Sequence, residues 1–188
     1  YAGGQVTNFG AHSLDMPQWG LGMDDSGPIA VKSRYAEYLP EGSLYDASTF
    51  SHFVCTYKNG VKVECVTGEP SVRCVFEGTD GLVRVDNQGR NFMTIPNKIK
   101  ESRYGSEPPE VYPSNDDHQR NFIDCVKSRE EPAAPVEVGH RSATVCHLGN
   151  IALKLGKELR WDPQAEKFTN SDEANDMIHR PAREAGQA

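Results

Sequence analysis

The segment SHFVCTYKNGVKVECV, residues 51–66, constrains the fold more than any other stretch of this chain. Two runs rich in β-branched and aromatic residues flank Asn59-Gly60, and that dipeptide in that setting is the strongest short-range hairpin signal. A two-residue turn predicts the pairs Lys58–Val61, Thr56–Val63 and Val54–Cys65, a mainly apolar face that belongs against helices. The opposite face then carries Phe53, Cys55, Tyr57 and Val66 beside Lys62 and Glu64. It is too apolar for plain solvent and too charged for a core, and such a face predicts a subunit contact.

The segment SVRCVFEGTDGLVRVD adds two strands around a glycine-containing turn, and NFMTIP a further one. The predicted sheet is therefore largely antiparallel, with four or more strands. Ahead of it, a helix is predicted from Asn8, a good N-cap residue, with His12, Met16 and Trp19 on one face and Leu14 and Leu21 flanking them. Pro17 predicts a kink or short break there, and GLGMDDSGP ends the element. Residues 97–114 have no apolar period and read as a long irregular loop. Ser114 with Asp117 resembles a capping box opening a helix whose stripe is Phe122, Ile123 and Val126 and which stops near residue 129. A second helix is predicted in HRSATVCHLGNIALKLG with Gly156 just past its end. ELRWDP follows as a last strand, Ser171 caps a short helix, and PAREAGQA is a tail. This order predicts an α+β fold: an open, mostly antiparallel sheet with helices packed on one face and the other face free for oligomerisation.

The chemistry the chain lacks narrows the reading. A net charge of −7 argues against nucleic acid or an anionic membrane surface as partner, and no apolar run approaches the roughly 20 residues of a membrane span. No G-x-G-x-x-G follows a strand, and there is no P-loop and no G-x-S-x-G elbow. Five cysteines with no C-x-x-C spacing suit buried free thiols in a reducing compartment. His140 and His147 lie seven apart on one predicted helix, but no Asp, Glu or Cys completes a metal set. Asp116–Asp117 and Glu130–Glu131 fall in cap and loop settings that face solvent. His12 is the best chemical candidate. One turn into a helix, with Asn8 four residues before it and Asp15 three after, it could exchange a proton with a substrate hydroxyl. Spacing alone favours a structural histidine at a helix end over a catalytic one.

Three stretches go further: GGQVTNFGAHSLDMPQWGLGMDDSGP, HQRNFIDCVKSREEPAAPVEVGHRSATVCHLGNIALKLG and KELRWDPQAEKFTNSDEAN. Together they resemble the C-terminal domain of the glucose–fructose oxidoreductase/inositol dehydrogenase (Gfo/Idh/MocA) family. The resemblance implies that residues 1–188 are a single C-terminal substrate-binding and oligomerisation domain, with the N-terminal Rossmann domain absent from this chain. NAD or NADP would be held by that Rossmann domain in the full-length protein and not by this domain alone. The implied activity is hydride transfer on a sugar, cyclitol or related polyol, and the implied partners are that substrate, the Rossmann domain and further copies of the chain through the sheet face. The family's Asp-x-Gly-x-His motif maps onto Asn8-Phe9-Gly10-Ala11-His12, which makes His12 the proton-transfer residue and puts Asn8 at the family's Asp position. Asn can hydrogen-bond the ring or a hydroxyl but cannot stabilise an imidazolium by charge. Two other readings keep the fold: an NAD-dependent glycoside-cleaving relative, and a non-catalytic carbohydrate-binding or scaffold domain. The expected location is cytoplasmic, with export the alternative.

Overall fold

The computed structural model describes residues 3–68, 73–86, 91–101 and 117–179. In chain order the elements are helix α1 (Gly4–Gly20), strands β1 (Ala30–Glu37), β2 (Phe50–Thr56), β3 (Lys62–Val66), β4 (Arg73–Gly78), β5 (Gly81–Asp86) and β6 (Asn91–Ile95), then helices α2 (Lys98–Glu101), α3 (His118–Ser128) and α4 (Val136–Leu155), strands β7 (Glu158–Asp162) and β8 (Lys167–Phe168), and helix α5 (Asp172–Asp176). The strands form two open antiparallel sheets, one ordered β3-β2-β1-β7-β8 and one ordered β4-β5-β6. The α+β expectation holds, with the single predicted sheet divided in two. The long central strand β1 was not among the predicted elements. Its sequence, AVKSRYAE, has no run of β-branched residues, and only Val31 is fully buried.

The Asn59-Gly60 hairpin forms with a different loop from the predicted one. A two-residue type I′ turn needs positive φ at both central residues, and here only Gly60 has it, at 85°. The Gly60 N–H donates to the Tyr57 carbonyl, and the Tyr57 N–H donates to the Val61 carbonyl, both at 2.9 Å. Lys58, Asn59 and Gly60 are thus a three-residue loop, and the register becomes Thr56–Lys62, Cys55–Val63 and Phe53–Cys65. Because side chains alternate, a slip of one residue exchanges the faces of one strand relative to its neighbour. Phe53, Cys55 and Tyr57 lie under the helices at 0, 0 and 1% exposure, together with Val63 and Cys65. Phe53 and Tyr57 therefore cannot form the predicted subunit contact. The open face carries His52, Thr56, Lys62, Glu64 and Val66 instead.

Helices α1 and α4 pack on the buried face of the five-stranded sheet. Val145, Leu148 and Ala152 of α4 meet Val31, Phe53 and Leu159 in the core, with Val6 and Leu14 of α1 alongside. The Phe53 ring lies so close to the α4 backbone that a Cβ on Gly149 would sit 2.3 Å from it. At the far edge, Trp161 and Phe168 meet edge-on with centroids 5.0 Å apart, and Ala174 of α5 closes the end of the core. The three-stranded sheet meets the end of α1, where a Cβ on Gly20 would lie 2.8 Å from the Phe76 ring.

Several helix boundaries differ from expectation. Helix α1 begins at Gly4, not Asn8, and runs unbroken through Pro17 to Gly20. Helix α4 begins at Val136, with Pro135 at its N-cap, and ends as predicted with Gly156 at a left-handed φ of 63°. The cap of α3 is Asp117, whose carboxylate accepts the Arg120 N–H at 2.8 Å. Ser114, most of the predicted 97–114 loop and the PAREAGQA tail lie outside the described residues, although residues 98–101 of that loop form α2. The Ser171 cap of α5 forms as expected. All five cysteines are free thiols, four of them buried. No helix among the described residues is long and apolar enough to cross a membrane.

Candidate active site

Helix α1 divides cleanly into two faces. Val6, Gly10, Leu14, Pro17 and Gln18 are buried, whereas Asn8, His12, Asp15 and Trp19 are all exposed. Positions i, i+4, i+7 and i+11 share one side of a helix, so these four groups form a single outward stripe. Since the helix starts at Gly4, His12 lies in its third turn, and the first-turn amides that a helix-start histidine would meet are not beside it. Among the described residues no hydrogen bond joins His12 to Asn8 or Asp15. The Asp15 carboxylate instead accepts the Ser142 hydroxyl of α4 at 2.7 Å.

Three polar ties fix the pose of that stripe. At the N-terminal end the Asn150 amide of α4 donates to the Gly3 carbonyl at 2.9 Å. The Asp15–Ser142 bond holds the middle. At the C-terminal end Gln18, fully buried at 0% exposure, has its carbonyl oxygen and both amide N–H donors engaged. Its Oε1 accepts the Tyr57 hydroxyl at 2.6 Å, and its Nε2 donates to the carbonyls of Met23 and Ser26 at 3.1 and 3.2 Å. A buried amide is tolerated only when its partners are present, and this one ties the helix, the β2–β3 hairpin and the following turn together. Sequence reasoning missed Gln18, because a lone glutamine inside an amphipathic pattern carries no outward signal.

Beyond Asp15 the stripe borders a cleft of about 550 Å³ between the C-terminal part of α1 and the N-terminal turn of α4. Asp15, Trp19 and Asp24 line one side, and Pro135, Val136 and His140 are on the other. Burial and the neighbouring carboxylates of Asp15 and Asp25 push the Asp24 carboxyl above its usual range. Its Oδ1 is buried with no hydrogen-bond partner among the described residues. His140 meets Glu166 at 2.5 Å. The Arg141 guanidinium reaches Glu137, the Pro163 carbonyl and Glu166 at 2.7, 2.7 and 3.1 Å, and the His140 and Arg141 partners hold the Glu166 carboxyl below its usual range. His12 itself lies outside the cleft, and His147, exposed on α4, is not among its lining residues. The sequence reading placed Trp19 on the His12 face but assigned it no role, and it left Asp24 inside a turn.

Every strand pairing among the described residues is antiparallel. They contain no parallel βαβ unit of the kind whose glycine-rich turn carries a dinucleotide.

The oxidoreductase family's model for its C-terminal α/β domain, of the Gfo/Idh/MocA type, matches residues 1–187. The chain belongs to this family. Two solved structures share its fold. One is the WlbA dehydrogenase from Bordetella pertussis in complex with NADH and UDP-GlcNAcA, at 16% identity and a TM-score of 0.52, covering 81% of this chain and 43% of that one. The other is the aldose-aldose oxidoreductase from Caulobacter crescentus complexed with glycerol, at 16% identity and a TM-score of 0.53, covering 80% of this chain and 45% of that one. This Gfo/Idh/MocA chain thus spans less than half the length of either structure. A search of curated protein sequences finds no match.

Proposed function

We propose that this chain is the substrate-facing domain of an NAD(P)-dependent oxidoreductase acting on a sugar, cyclitol or related polyol, and that His12 is its proton-transfer residue. The observation that carries the reading is the presentation of the Asn8-Phe9-Gly10-Ala11-His12 segment. Gly10 faces the core while Asn8 and His12 stand together on the exposed side of a helix pinned at both ends. The family match over residues 1–187 supports it.

The proposed chemistry of this chain is the proton half of an alcohol oxidation. When a secondary hydroxyl becomes a ketone its proton has to leave, and a solvent-facing imidazole can take it; in the reverse direction the imidazolium returns it. Asn8, one turn before His12, can accept from or donate to a neighbouring substrate hydroxyl, but as a neutral amide it adds no charge to the imidazolium. A nicotinamide bound by residues other than these would supply the hydride transfer. Self-association through the open face of the five-stranded sheet, where Lys32 pairs with Glu158 at 2.8 Å and His52 with Glu64 at 2.5 Å, is part of the proposal.

The test is His12→Ala in the enzyme that contains this chain, assayed on a panel of sugars and polyols with either nicotinamide cofactor. Loss of a positioned acid/base group lowers kcat/KM by about 10²–10⁴-fold, whereas His147→Ala leaves it unchanged. Wild-type turnover in His12→Ala would overturn the assignment.

A further inference from the structure

The cleft beside Trp19 lies on the same face of α1 as His12 but not at the same place. Seven residues separate the two, about 10 Å along a helix axis, which is farther than a single six-membered sugar ring spans. Resting on the polyol oxidoreductase reading above, we propose that the cleft between α1 and α4 is a second, distal subsite that binds an uncharged sugar ring of an extended substrate, such as the non-reacting ring of a disaccharide.

The cleft has the size and the groups for that ligand. Its volume of about 550 Å³ lies within the range of small-molecule sites, about 300–1,000 Å³. Trp19 is 57% exposed in the free chain, and an indole face standing in solvent gains by covering the C–H face of a pyranose. Asp24 lines the cleft, and its half-buried carboxyl group can accept a hydrogen bond from a ligand hydroxyl. Hydrogen bonds to a carboxylate are stronger than those to neutral acceptors. Pro135 and Val136 supply an apolar wall opposite the indole.

The same groups reject anions. Asp15 and Asp24 line the cleft, and Asp25 adjoins it, close enough to raise the Asp24 carboxyl. The nearby cation Arg141 is engaged with Glu137, Glu166 and the Pro163 carbonyl, and His140 is engaged with Glu166. A diphosphate or sugar phosphate in the cleft would meet carboxylates without a free counter-charge, so the subsite selects a neutral glycoside against a nucleotide-linked sugar.

Acrylamide quenching of tryptophan fluorescence tests this on the chain directly, because Trp161 is only 6% exposed and Trp19 is the accessible indole. Cellobiose, maltose and lactose are titrated, with glucose and UDP-glucose as single-ring and charged comparisons. At least one disaccharide is expected to shield Trp19 and to bind more tightly than glucose and UDP-glucose. Trp19→Ala should weaken that binding about tenfold, and Trp19→Phe, which keeps an aromatic face, about threefold or less. Asp24→Asn, read by calorimetry, should weaken it severalfold. Melting curves of the variants establish that they remain folded. The subsite is overturned if no disaccharide shields Trp19, if Trp19→Ala binds as wild type does, or if UDP-glucose binds most tightly. Absent disaccharide binding with turnover still dependent on His12 overturns the subsite alone. Disaccharide binding with turnover indifferent to His12→Ala overturns the His12 assignment alone.

Discussion

Tyr57→Phe tests how the candidate site is held in place. The substitution removes one hydroxyl and leaves the ring. The lost donor lies 2.6 Å from Gln18 Oε1, and Gln18 is 0% exposed, so water cannot take its place. A buried acceptor left without a donor costs about 1–3 kcal/mol, and a domain of 150–250 residues loses about 2–4 °C of Tm per kcal/mol. Gln18→Leu is expected to cost more. It leaves the Tyr57 hydroxyl and the Ser26 carbonyl without their Gln18 partner, leaves the Met23 carbonyl only the Ser26 N–H at 3.0 Å, and loosens the turn that carries Asp24. The double variant Tyr57→Phe/Gln18→Leu removes both members of the shortest bond, and its loss should fall short of the sum of the single losses by about 0.5–3 kcal/mol. Urea unfolding of the four proteins closes the cycle. Strict additivity, or a Tyr57→Phe variant within about 0.5 kcal/mol of wild type, would refute the view that this bond anchors α1.

Other outcomes follow from single contacts. Gly149→Ala should destabilise by about 1–3 kcal/mol despite the better helix propensity of alanine, because the new methyl meets the Phe53 ring at 2.3 Å; an unchanged urea midpoint counts against that packing. Gly60→Ala should cost about 1–2 kcal/mol at a φ of 85°, although nothing lies within 4 Å of the new Cβ. Alkaline pH should destabilise the fold. Burial pushes the thiols of Cys65, Cys146 and Cys74 up to about 12, 11 and 11, and it raises Cys55 and Tyr57 too. These groups stay protonated in the fold after the unfolded chain has lost its protons, so stability is complete below about pH 8.5 and falls as pH rises through the folded values, by up to ~1.4 kcal/mol per pH unit for each group. A urea midpoint equal at pH 8 and pH 10 would contradict it. If copies associate through the open sheet face, Val66→Asp at its edge should weaken that association, as read by sedimentation, without lowering Tm.

The sequence showed some parts of this molecule well and others hardly at all. Hairpins marked by glycine, the Gly156 stop and the Ser171 cap were legible because each depends on a backbone geometry that few residues adopt. The strand β1 was not, since its partners on both sides supply its order and its own residues carry only Val31 to the core. The start of α1 was misplaced at Asn8 because a good capping residue stood inside the helix, while the true start at Gly4 has no side-chain cap and depends on the Asn150 tie from α4. His12 stood out through its motif. The cleft could not, because Trp19 and Asp24 come together with Pro135 and His140 only when two helices far apart in the chain are packed.

The three-residue loop at Lys58-Asn59-Gly60 separates the places where this hairpin can and cannot change its length. Tyr57 and Val61 close the loop, so deleting one of the three residues leaves a two-residue turn between the same pair, and Cys55 stays opposite Val63. A deletion inside β3 is different, because β2 is held on its other side by β1 and only β3 can shift. Without Lys62, Glu64 would stand opposite Cys55 with its carboxylate facing the helices, while Val63 and Cys65 turned outward. Length variation among related chains should therefore fall within residues 58–60, and a single-residue change inside β3 should appear only with a compensating bulge.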